Sequence, residues 1–321
     1  MANAIEQLKT GLTVGYAGLG FRSGVTGSVR QQVHDGDTFQ LRPIGNLGVR
    51  FLGVDAPEIS FTLPRNRRFI GLSDPLWEQF LIDPFDPALP PFRPGLLPGL
   101  VAYLKGKTGP GAALNHHQHA SNAERALEEE VRNDIAALNQ TEETFRFLLS
   151  FAHEVMDRYG RLLAFVNRLQ PSETKLKRRP ISYNERLLKT GRISPYFIWP
   201  NINPFRRQDS PTKAVIPPGK AAELAKKEKT LSDARKWVRS ARKKKTGLFD
   251  AQNPLRLFPF EIRFLSQRRP PDRWVIDLSK SDNTLIRPQN YYTVPNMEDR
   301  LFIPAEFVPL FVEAGWQRQQ G

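Results

Sequence analysis

The order of apolar and polar side chains predicts two stretches of β-structure. Alternating side chains in residues 38–41 and apolar ones in residues 47–54 indicate two strands, because successive side chains of a strand point to opposite faces. The turn-forming residues 43–46 lie between them, so we predict an antiparallel β-hairpin. Residues 144–151 and 162–169 predict a second pair of strands further along the chain.

Helical spacing of apolar residues begins later in the chain. Ser121 and Glu124 match a capping box at the start of a predicted helix over residues 121–139. The remaining predicted elements are helices at 183–190, 220–245 and 305–313 and short strands at 263–265 and 274–278. These elements together predict a chain that contains both helices and strands.

Proline content separates one segment from the rest of the chain. Nine of the 27 prolines fall between residues 57 and 98, and this density excludes long helices and central strands there. The segment is nevertheless rich in Leu, Phe and Trp, so we predict an ordered insertion at residues 61–118. We therefore divide the chain into an N-terminal tail (1–27), a main domain that contains the insertion (28–250) and a C-terminal extension (251–321).

Basic residues outnumber acidic ones. The chain has 47 Lys and Arg against 33 Asp and Glu, a net charge of +14, which favours binding to polyanions such as DNA or RNA. Residues 220–245 hold eleven of the basic residues against three acidic ones, and a second basic stretch spans residues 175–179. Each stretch could instead be an ordinary solvated surface.

The composition also limits the compartment and the partners. The chain has no cysteine, which excludes disulfides and thiolate metal sites. No window of the sequence is apolar enough to span a bilayer, and the glycine-interrupted N-terminus makes a poor secretion signal. We therefore expect a cytoplasmic monomer that has no membrane partner.

Five charged side chains near the ends of the predicted strands are candidates for phosphate chemistry. Asp37 and Asp55 carry hard oxygen donors of the kind that Ca²⁺ and Mg²⁺ prefer. The carboxylate of Glu58 could orient a water molecule or accept its proton. Arg50, within an apolar strand, and Arg161, after a glycine turn, could bind a phosphate with two guanidinium groups.

Each of these features also has a structural interpretation. Glu58 alone resembles a surface residue, and Arg50 could form an ion pair that stabilises the fold. Arg50 and Asp55 point to opposite faces of a regular strand, so the strand must bend near Gly53 for both to reach one site. The three histidines within residues 116–119 lack a clear fourth ligand, and we expect a solvated loop there.

Three ordered motifs resemble those of the staphylococcal nuclease (thermonuclease-like) family. They are Asp35-Gly36-Asp37-Thr38, Val49-Arg50 running on to Asp55-Ala56-Pro57-Glu58, and Asp157-Arg158-Tyr159-Gly160-Arg161. The resemblance implies an α+β fold with an OB-fold-like five-stranded β-barrel and about three helices. It covers residues from about 28 to 62 and from about 120 to 250, and it leaves the insertion and the C-terminal extension without a role.

The resemblance also implies a role for each matched residue. The ligands of Ca²⁺, or of another divalent ion, would be Asp37, Asp55 and the backbone carbonyl of Ala56. The catalytic residues would be Arg50, Glu58 and Arg161, with Glu58 as the general base and the arginines on the developing negative charge. The substrate would contact Tyr159, Arg158, Phe197 and Trp199. Core packing is the alternative for the aromatic residues of this last set.

These roles together predict a metal-dependent nuclease. The resemblance implies hydrolysis of DNA or RNA phosphodiesters with little sequence preference, leaving a 5′-hydroxyl and a 3′-phosphate. One alternative is a nucleic-acid-binding module without catalysis, because this type of barrel also serves as a pure binding platform. A second alternative is a scaffold protein whose insertion and C-terminal extension bind other proteins.

Overall fold

The computed structural model describes residues 3–33, 38, 40–66, 68–170 and 178–320. Its residues divide into two compact units: Met1–Phe51 with Ser150–Ala164, and Leu52–Leu149 with Phe165–Gly321. We describe each unit by itself. Asp35, Asp37 and most of the basic stretch 175–179 lie outside the described residues.

The elements are short and numerous. The strands are β1 (Ile5–Gln7), β2 (Thr13–Gly15), β3 (Ala17–Leu19), β4 (Phe21–Arg22), β5 (Val25–Thr26), β6 (Leu41–Pro43), β7 (Val49–Phe51), β8 (Val54–Asp55), β9 (Ser60–Thr62), β10 (Phe69–Gly71), β11 (Phe147–Met156), β12 (Leu162–Arg168), β13 (Ser194–Pro195), β14 (Phe197–Ile198), β15 (Trp274–Asp277), β16 (Thr284–Leu285), β17 (Arg300–Ile303) and β18 (Gln317–Arg318). The helices are α1 (Val29–Gln32), α2 (Pro75–Ile82), α3 (Pro98–Lys105), α4 (Ala112–Ala137), α5 (Tyr183–Lys189), α6 (Pro211–Ala214), α7 (Ala221–Lys227), α8 (Lys229–Lys244), α9 (Pro259–Gln267) and α10 (Val308–Glu313). Short 3₁₀ helices span Phe205–Arg207, Gly247–Phe249, Pro288–Thr293, Met297–Asp299 and Ala305–Phe307.

The proportions of helix and strand confirm the mixed α+β composition. Helices account for about 37% and strands for about 21% of the structure. Among the described residues, the strands form sheets of two or three strands, and no closed barrel is found. No helix in the described part of the chain has both the length and the apolar character that crossing a membrane requires.

The first unit pairs its strands differently from the predicted hairpin. β6 pairs antiparallel with β3, and β7 pairs in parallel with the first residues of β12. For the described residues of 38–41 and 47–54, the predicted pairing with each other is therefore wrong. The partner of β6 comes from residues 1–27, which contain five short strands where the sequence predicted a tail.

The second unit joins the insertion and the C-terminal extension in one hydrophobic core. The fully buried side chains of this core include Leu72, Trp77, Leu81, Leu100 and Leu104 from the insertion and Ile262, Leu265, Val275 and Tyr291 from the extension. Burial of a large apolar side chain contributes roughly 1.5–3 kcal/mol to stability. The two segments that the family resemblance leaves unassigned therefore stabilise each other.

Helix α4 is longer than the pattern predicted. It begins after Gly111, whose φ of +79° suits a glycine, and it runs through Ser121 without a break. The capping box predicted at Ser121 is therefore not a helix start, and residues 116–119 are helical instead of forming a solvated loop. The reason is burial, because Ala112, Ala113 and Ala120 lie in the core together with His116.

Two further elements differ from their predictions. The single helix predicted over residues 220–245 is divided into α7 and α8 at Glu228, whose backbone is extended and whose carboxylate accepts a hydrogen bond from the Thr230 amide at 3.1 Å. The strand predicted at residues 263–265 is part of α9. Pro259 starts that helix, and Glu261 accepts a hydrogen bond from the Phe258 amide at 2.7 Å, so the helix has a satisfied N-terminus.

Candidate active site

In the second unit, Asp55 lies at the end of a paired strand. β8 and β13 are antiparallel, with Asp55 opposite Ser194. The Ser194 hydroxyl donates a hydrogen bond to the backbone carbonyl of Asp55 at 2.8 Å, and the Asp55 residue is only 1% exposed. The strand thus holds the predicted metal ligand in a fixed and buried position.

A single arginine from α9 joins Asp55 to Glu58. Arg263 donates from Nη2 to Asp55 Oδ2 at 2.7 Å and from Nη1 to Glu58 Oε1 at 2.7 Å. The side chain of Arg263 is 19% exposed and that of Glu58 is 25% exposed. Burial alone would lower the pKa of Arg263, but the carboxylates of Asp55 and then Glu58 raise it above its ordinary value. The arginine is therefore a permanent cation between the two acids.

Helix α4 makes a second contact with the segment that carries Glu58, through His116. The amide of Glu58 donates a hydrogen bond to Nε2 of His116 at 2.9 Å, and the other ring nitrogen, Nδ1, lies 3.1 Å from the carbonyl of Leu257. An accepting Nε2 and a donating Nδ1 define one neutral tautomer of the imidazole. Burial lowers the pKa of His116 to about 3, so the ring stays neutral at pH 7.

The neutral state of His116 predicts a pH dependence of stability. The folded pKa of about 3 lies below the ordinary value of 6.5, so the unfolded chain binds more protons between these two values. The free energy of unfolding should therefore fall as the pH falls from about 6.5 towards 3, with a contribution of up to about 1.4 kcal/mol per pH unit. Urea unfolding of wild type and His116→Gln at several pH values measures this slope, which the substitution should reduce.

The charged groups around His116 do not reverse this direction. Asp55 raises the pKa of His116, whereas Arg263 and His119 lower it, and burial outweighs all three. Equal pH dependence of unfolding in wild type and His116→Gln would contradict the prediction.

In the first unit, a tight turn presents the third motif. Asp157 Oδ1 accepts hydrogen bonds from the amides of Tyr159 at 2.9 Å and Arg161 at 3.1 Å. Gly160 has a φ of +82°, and a Cβ atom there would lie 2.4 Å from the side chain of Ile5, so glycine is required. The turn itself therefore requires Asp157 and Gly160, whatever the functional role of the motif.

Arg161 binds a carboxylate of its own turn. Its Nε donates to Asp157 Oδ2 at 2.8 Å, and its side chain is 41% exposed. Tyr159 is also exposed, and its ring lies beneath the guanidinium carbons of Arg158 at 4.8 Å and Arg161 at 5.4 Å. The turn thus presents two guanidinium groups and one aromatic ring to solvent.

The parallel pairing of β7 with β12 brings the strand of Arg50 beside this turn. Val49 is opposite Leu162 and Arg50 is opposite Leu163, so Arg161 directly precedes the strand that flanks Arg50. The amide of Leu162 donates to the carbonyl of Gly48 at 2.8 Å and anchors this register. The structure therefore brings together two motifs that are more than a hundred residues apart in sequence.

Phe197 and Trp199 are not accessible to a base. Phe197 is 4% exposed and Trp199 is 0% exposed. The Trp199 Nε1 donates to the carbonyl of Ala214 at 2.9 Å, and its ring packs edge-on against Phe311 at a centroid distance of 4.9 Å. The predicted stacking role of these two residues is therefore corrected to the core-packing alternative, because both side chains are buried inside the second unit.

The described donors do not fit a divalent ion as they stand. Within residues 3–33, 38, 40–66, 68–170 and 178–320, no group of three or more His, Cys, Asp or Glu is placed to hold a metal. Ca²⁺ takes six to eight oxygen ligands, whereas one oxygen of Asp55 is bonded to Arg263. Ala56, whose backbone carbonyl is another ligand implied by the resemblance, is exposed at the next position. Asp37, the other predicted carboxylate ligand, lies outside the described residues.

Arg263 binds Asp55 and Glu58, and His116 binds the amide of Glu58. The sequence alone did not assign either residue to the site. A signal for Arg263 was present, because it lies among Ile262, Phe264 and Leu265, and an arginine in such an apolar stretch requires an acidic partner.

Comparisons of the chain with protein-family models, with curated proteins and with solved structures give no match. The family resemblance therefore depends on the three motifs themselves.

Proposed function

We propose that the chain is a nuclease that hydrolyses phosphodiester bonds of DNA or RNA with little sequence preference. The observation that carries the proposal is the position of Glu58, whose amide is bound by His116 and whose carboxylate is bound by Arg263. A simple surface glutamate has no need of two partners from distant segments, one of them fully buried. Preorganisation of this kind is what a general base requires.

The proposed chemistry assigns one task to each side chain. Arg263 binds Oε1 of Glu58, which leaves Oε2 to orient the attacking water and accept its proton. By the family resemblance, Arg50 and Arg161 would bind the phosphate and stabilise its developing negative charge. Arg158 and Tyr159 would contact the neighbouring part of the polynucleotide. The Ca²⁺ requirement and the OB-like barrel remain predictions of the resemblance.

The distribution of basic residues supports a polyanionic substrate. Among the cations of α7 and α8, Arg235 and Arg242 bind the acidic residues Asp299 and Glu298 and serve the fold. In contrast, Lys236 and residues 243–245 at the end of α8 are exposed. Exposed cations of this kind bind the phosphate backbone without regard to sequence, as expected for a monomeric nuclease with little sequence preference.

One observation favours the alternative of a binding module without catalysis. Arg263 already neutralises Asp55, the acid that the resemblance assigns to the metal. A binding module would bind nucleic acid through its exposed cations, and Asp55 and Glu58 would only hold α9 in place. Such a module would show the same ion pairs.

Cleavage assays separate the two functions. We expect the purified full chain to degrade supercoiled plasmid and single-stranded RNA in CaCl₂. Cleavage should stop when a chelator is added in excess. The assay is repeated with Mg²⁺ and Mn²⁺, and binding is followed separately with a fluorescent oligonucleotide. Oligonucleotide binding without cleavage in any of these ions would refute the nuclease and support the binding module.

A further inference from the structure

The strands β9 and β10 form a hairpin that presents an exposed aromatic ring. Phe69 of β10 is 69% exposed, the highest exposed fraction of any large hydrophobic residue in the described part of the chain. Its ring contacts that of Phe61 edge-on, with the centroids 5.9 Å apart and the ring planes at 89°. Phe61 in turn packs against the core of the second unit. The fold therefore supports the ring of Phe69 on one side and leaves the rest of it open to water.

The loop between the two strands supplies positive charge beside this ring. Residues 63–68 include three arginines, and no acidic residue occurs within residues 59–73. Arg65 and Arg68 are exposed, whereas Arg67 lies outside the described residues. An aromatic ring next to several cations is complementary to a nucleic-acid base and to the phosphates that flank it.

Both strands of the hairpin are anchored to the second unit. The indole of Trp77, a fully buried residue, donates a hydrogen bond to the carbonyl of Ile70 at 3.0 Å. The hydroxyl of Ser266 in α9 donates to the carbonyl of Thr62. Because the hairpin is already fixed, a ligand that binds to it need not order the protein backbone first.

The hairpin follows the proposed general base closely along the chain. Thr62, which is opposite Phe69 in the strand pair, comes four residues after Glu58, so the Cα atoms of Thr62 and Glu58 are at most about 14 Å apart. This distance corresponds to about four nucleotides of a stacked strand, at about 3.4 Å each. A strand bound at Phe69 therefore has its neighbouring phosphodiesters within reach of Glu58.

We propose that the β9–β10 hairpin binds single-stranded nucleic acid, with an unpaired base stacked on Phe69 and the flanking phosphates bound by Arg65 and Arg68. The inference rests on the proposed function for the class of polyanion. In a duplex the faces of each base are covered by the neighbouring base pairs, so only an unpaired base is free to stack on the ring. The hairpin thereby gives the proposed nuclease a preference for single strands.

Fluorescence anisotropy with a short labelled oligothymidine, in the presence of a chelator, tests the stacking contact. We expect Phe69→Ala to weaken the affinity about 5- to 140-fold, which is about 1–3 kcal/mol per stacked base converted at 1.4 kcal/mol per tenfold. Phe69→Trp should keep the affinity, whereas Phe69→Leu should weaken it because leucine keeps the apolar bulk without the ring. A duplex of the same length should bind wild type and all three variants within about twofold, because its phosphates alone are bound.

The salt dependence of binding tests the two described arginines. Arg65→Gln/Arg68→Gln should reduce the slope of log affinity against log salt by about 1.4, because each phosphate contact with a single strand contributes about 0.7. Phe69→Ala should leave this slope unchanged, since a ring releases no counter-ions. A wild-type slope in the double variant would contradict the phosphate contacts.

A second exposed phenylalanine provides the matched control. Phe147 is 49% exposed and meets Phe145 edge-on at a centroid distance of 5.0 Å, but the acidic residues Glu142 and Glu143 precede it in the chain. Phe147→Ala should keep the oligothymidine affinity within about twofold of wild type, because acidic neighbours repel phosphates. Circular dichroism establishes that each variant is folded, and if Phe69→Ala does not fold, Phe69→Leu gives the answer.

The outcomes separate this inference from the proposed function. Wild-type oligothymidine binding by the folded Phe69 variants, or an equal loss in Phe147→Ala, overturns the hairpin site, and continued cleavage would then leave the nuclease intact. Weaker binding by Phe69→Ala, with no cleavage by any variant, would support the hairpin site and refute the nuclease. Repeating the titrations with oligouridine distinguishes RNA from DNA.

A lipid surface is the other partner that exposed aromatic and basic side chains could fit. Sedimentation with phosphatidylserine vesicles measures this binding in the same variants. Vesicle binding that Phe69→Ala abolishes, with oligonucleotide binding unchanged, would overturn the inference and assign the hairpin to a membrane surface.

Discussion

Glu58→Gln is expected to lower the rate of phosphodiester cleavage by about 10²- to 10⁴-fold, the usual contribution of a general base. The amide keeps an oxygen that can accept a hydrogen bond from Arg263, and the Glu58 backbone amide still donates to His116 at 2.9 Å. The substitution therefore removes the proton acceptor while it leaves the framework of the loop in place. Initial rates on single-stranded DNA, measured at saturating substrate and ion, provide the comparison.

The control for Glu58→Gln is the same substitution at an exposed glutamate. Glu306 belongs to the second unit as well, and it lies on the surface in the 3₁₀ helix Ala305–Phe307. Glu306→Gln should keep the wild-type rate, and both variants should bind the oligonucleotide equally well. A wild-type rate for folded Glu58→Gln would show that Glu58 is not the base.

Asp134→Ala is expected to lower the free energy of unfolding of the second unit by about 3–5 kcal/mol. Asp134 is 6% exposed at its side chain and binds Arg168 at 2.9 Å and Arg186 at 2.6 Å. The hydroxyl of Tyr183 donates to the same carboxylate at 2.8 Å. Removing the acid takes the counter-ion from the largely buried Arg168 and one of two carboxylate partners from Arg186, which Glu130 of α4 still binds at 2.9 Å. Urea unfolding monitored by tryptophan fluorescence measures the loss.

A second acid on α4 provides the matched control for this stability effect. Glu128 pairs with Arg132 at 2.9 Å, but the two side chains are 49% and 69% exposed. Glu128→Ala should change the free energy of unfolding by less than about 0.5 kcal/mol, because water screens an exposed ion pair. A similar loss for both variants would contradict the assignment of the Asp134 cluster as a buried connection.

Local sequence signals predicted the elements whose hydrogen bonds are local. The helix predicted at residues 183–190 is α5, where Ser182 and Glu185 form a capping box, and the strand predicted at 274–278 contains β15. The tight turn at residues 157–160 is also present, with its glycine at positive φ. These elements are determined by side chains within a few residues of each other, so the pattern alone was sufficient.

Elements that depend on distant partners were not predictable in the same way. The apolar residues of 47–54 identified a strand around Arg50, but the partner of that strand is β12, more than a hundred residues later. Arg263 was assigned to a strand because three residues between prolines and basic residues carry too little periodicity to distinguish strand from helix. The motifs identified Asp55 and Glu58. The arginine that binds both acids, Arg263, comes from the C-terminal extension, which the motifs do not cover.

The distance along the chain between Arg263 and its partners affects how the protein is made. Asp55 and Arg263 are separated by 208 residues, and His116 is separated by 141 residues from the Leu257 carbonyl that orients it. A ribosome therefore exposes both acids long before it releases their counter-ion. The nascent chain cannot assemble its acidic cluster until α9 has emerged, because domains complete their packing only when all their segments are available. The ion pairs of Asp55 and Glu58 therefore form only after more than two hundred further residues have been made.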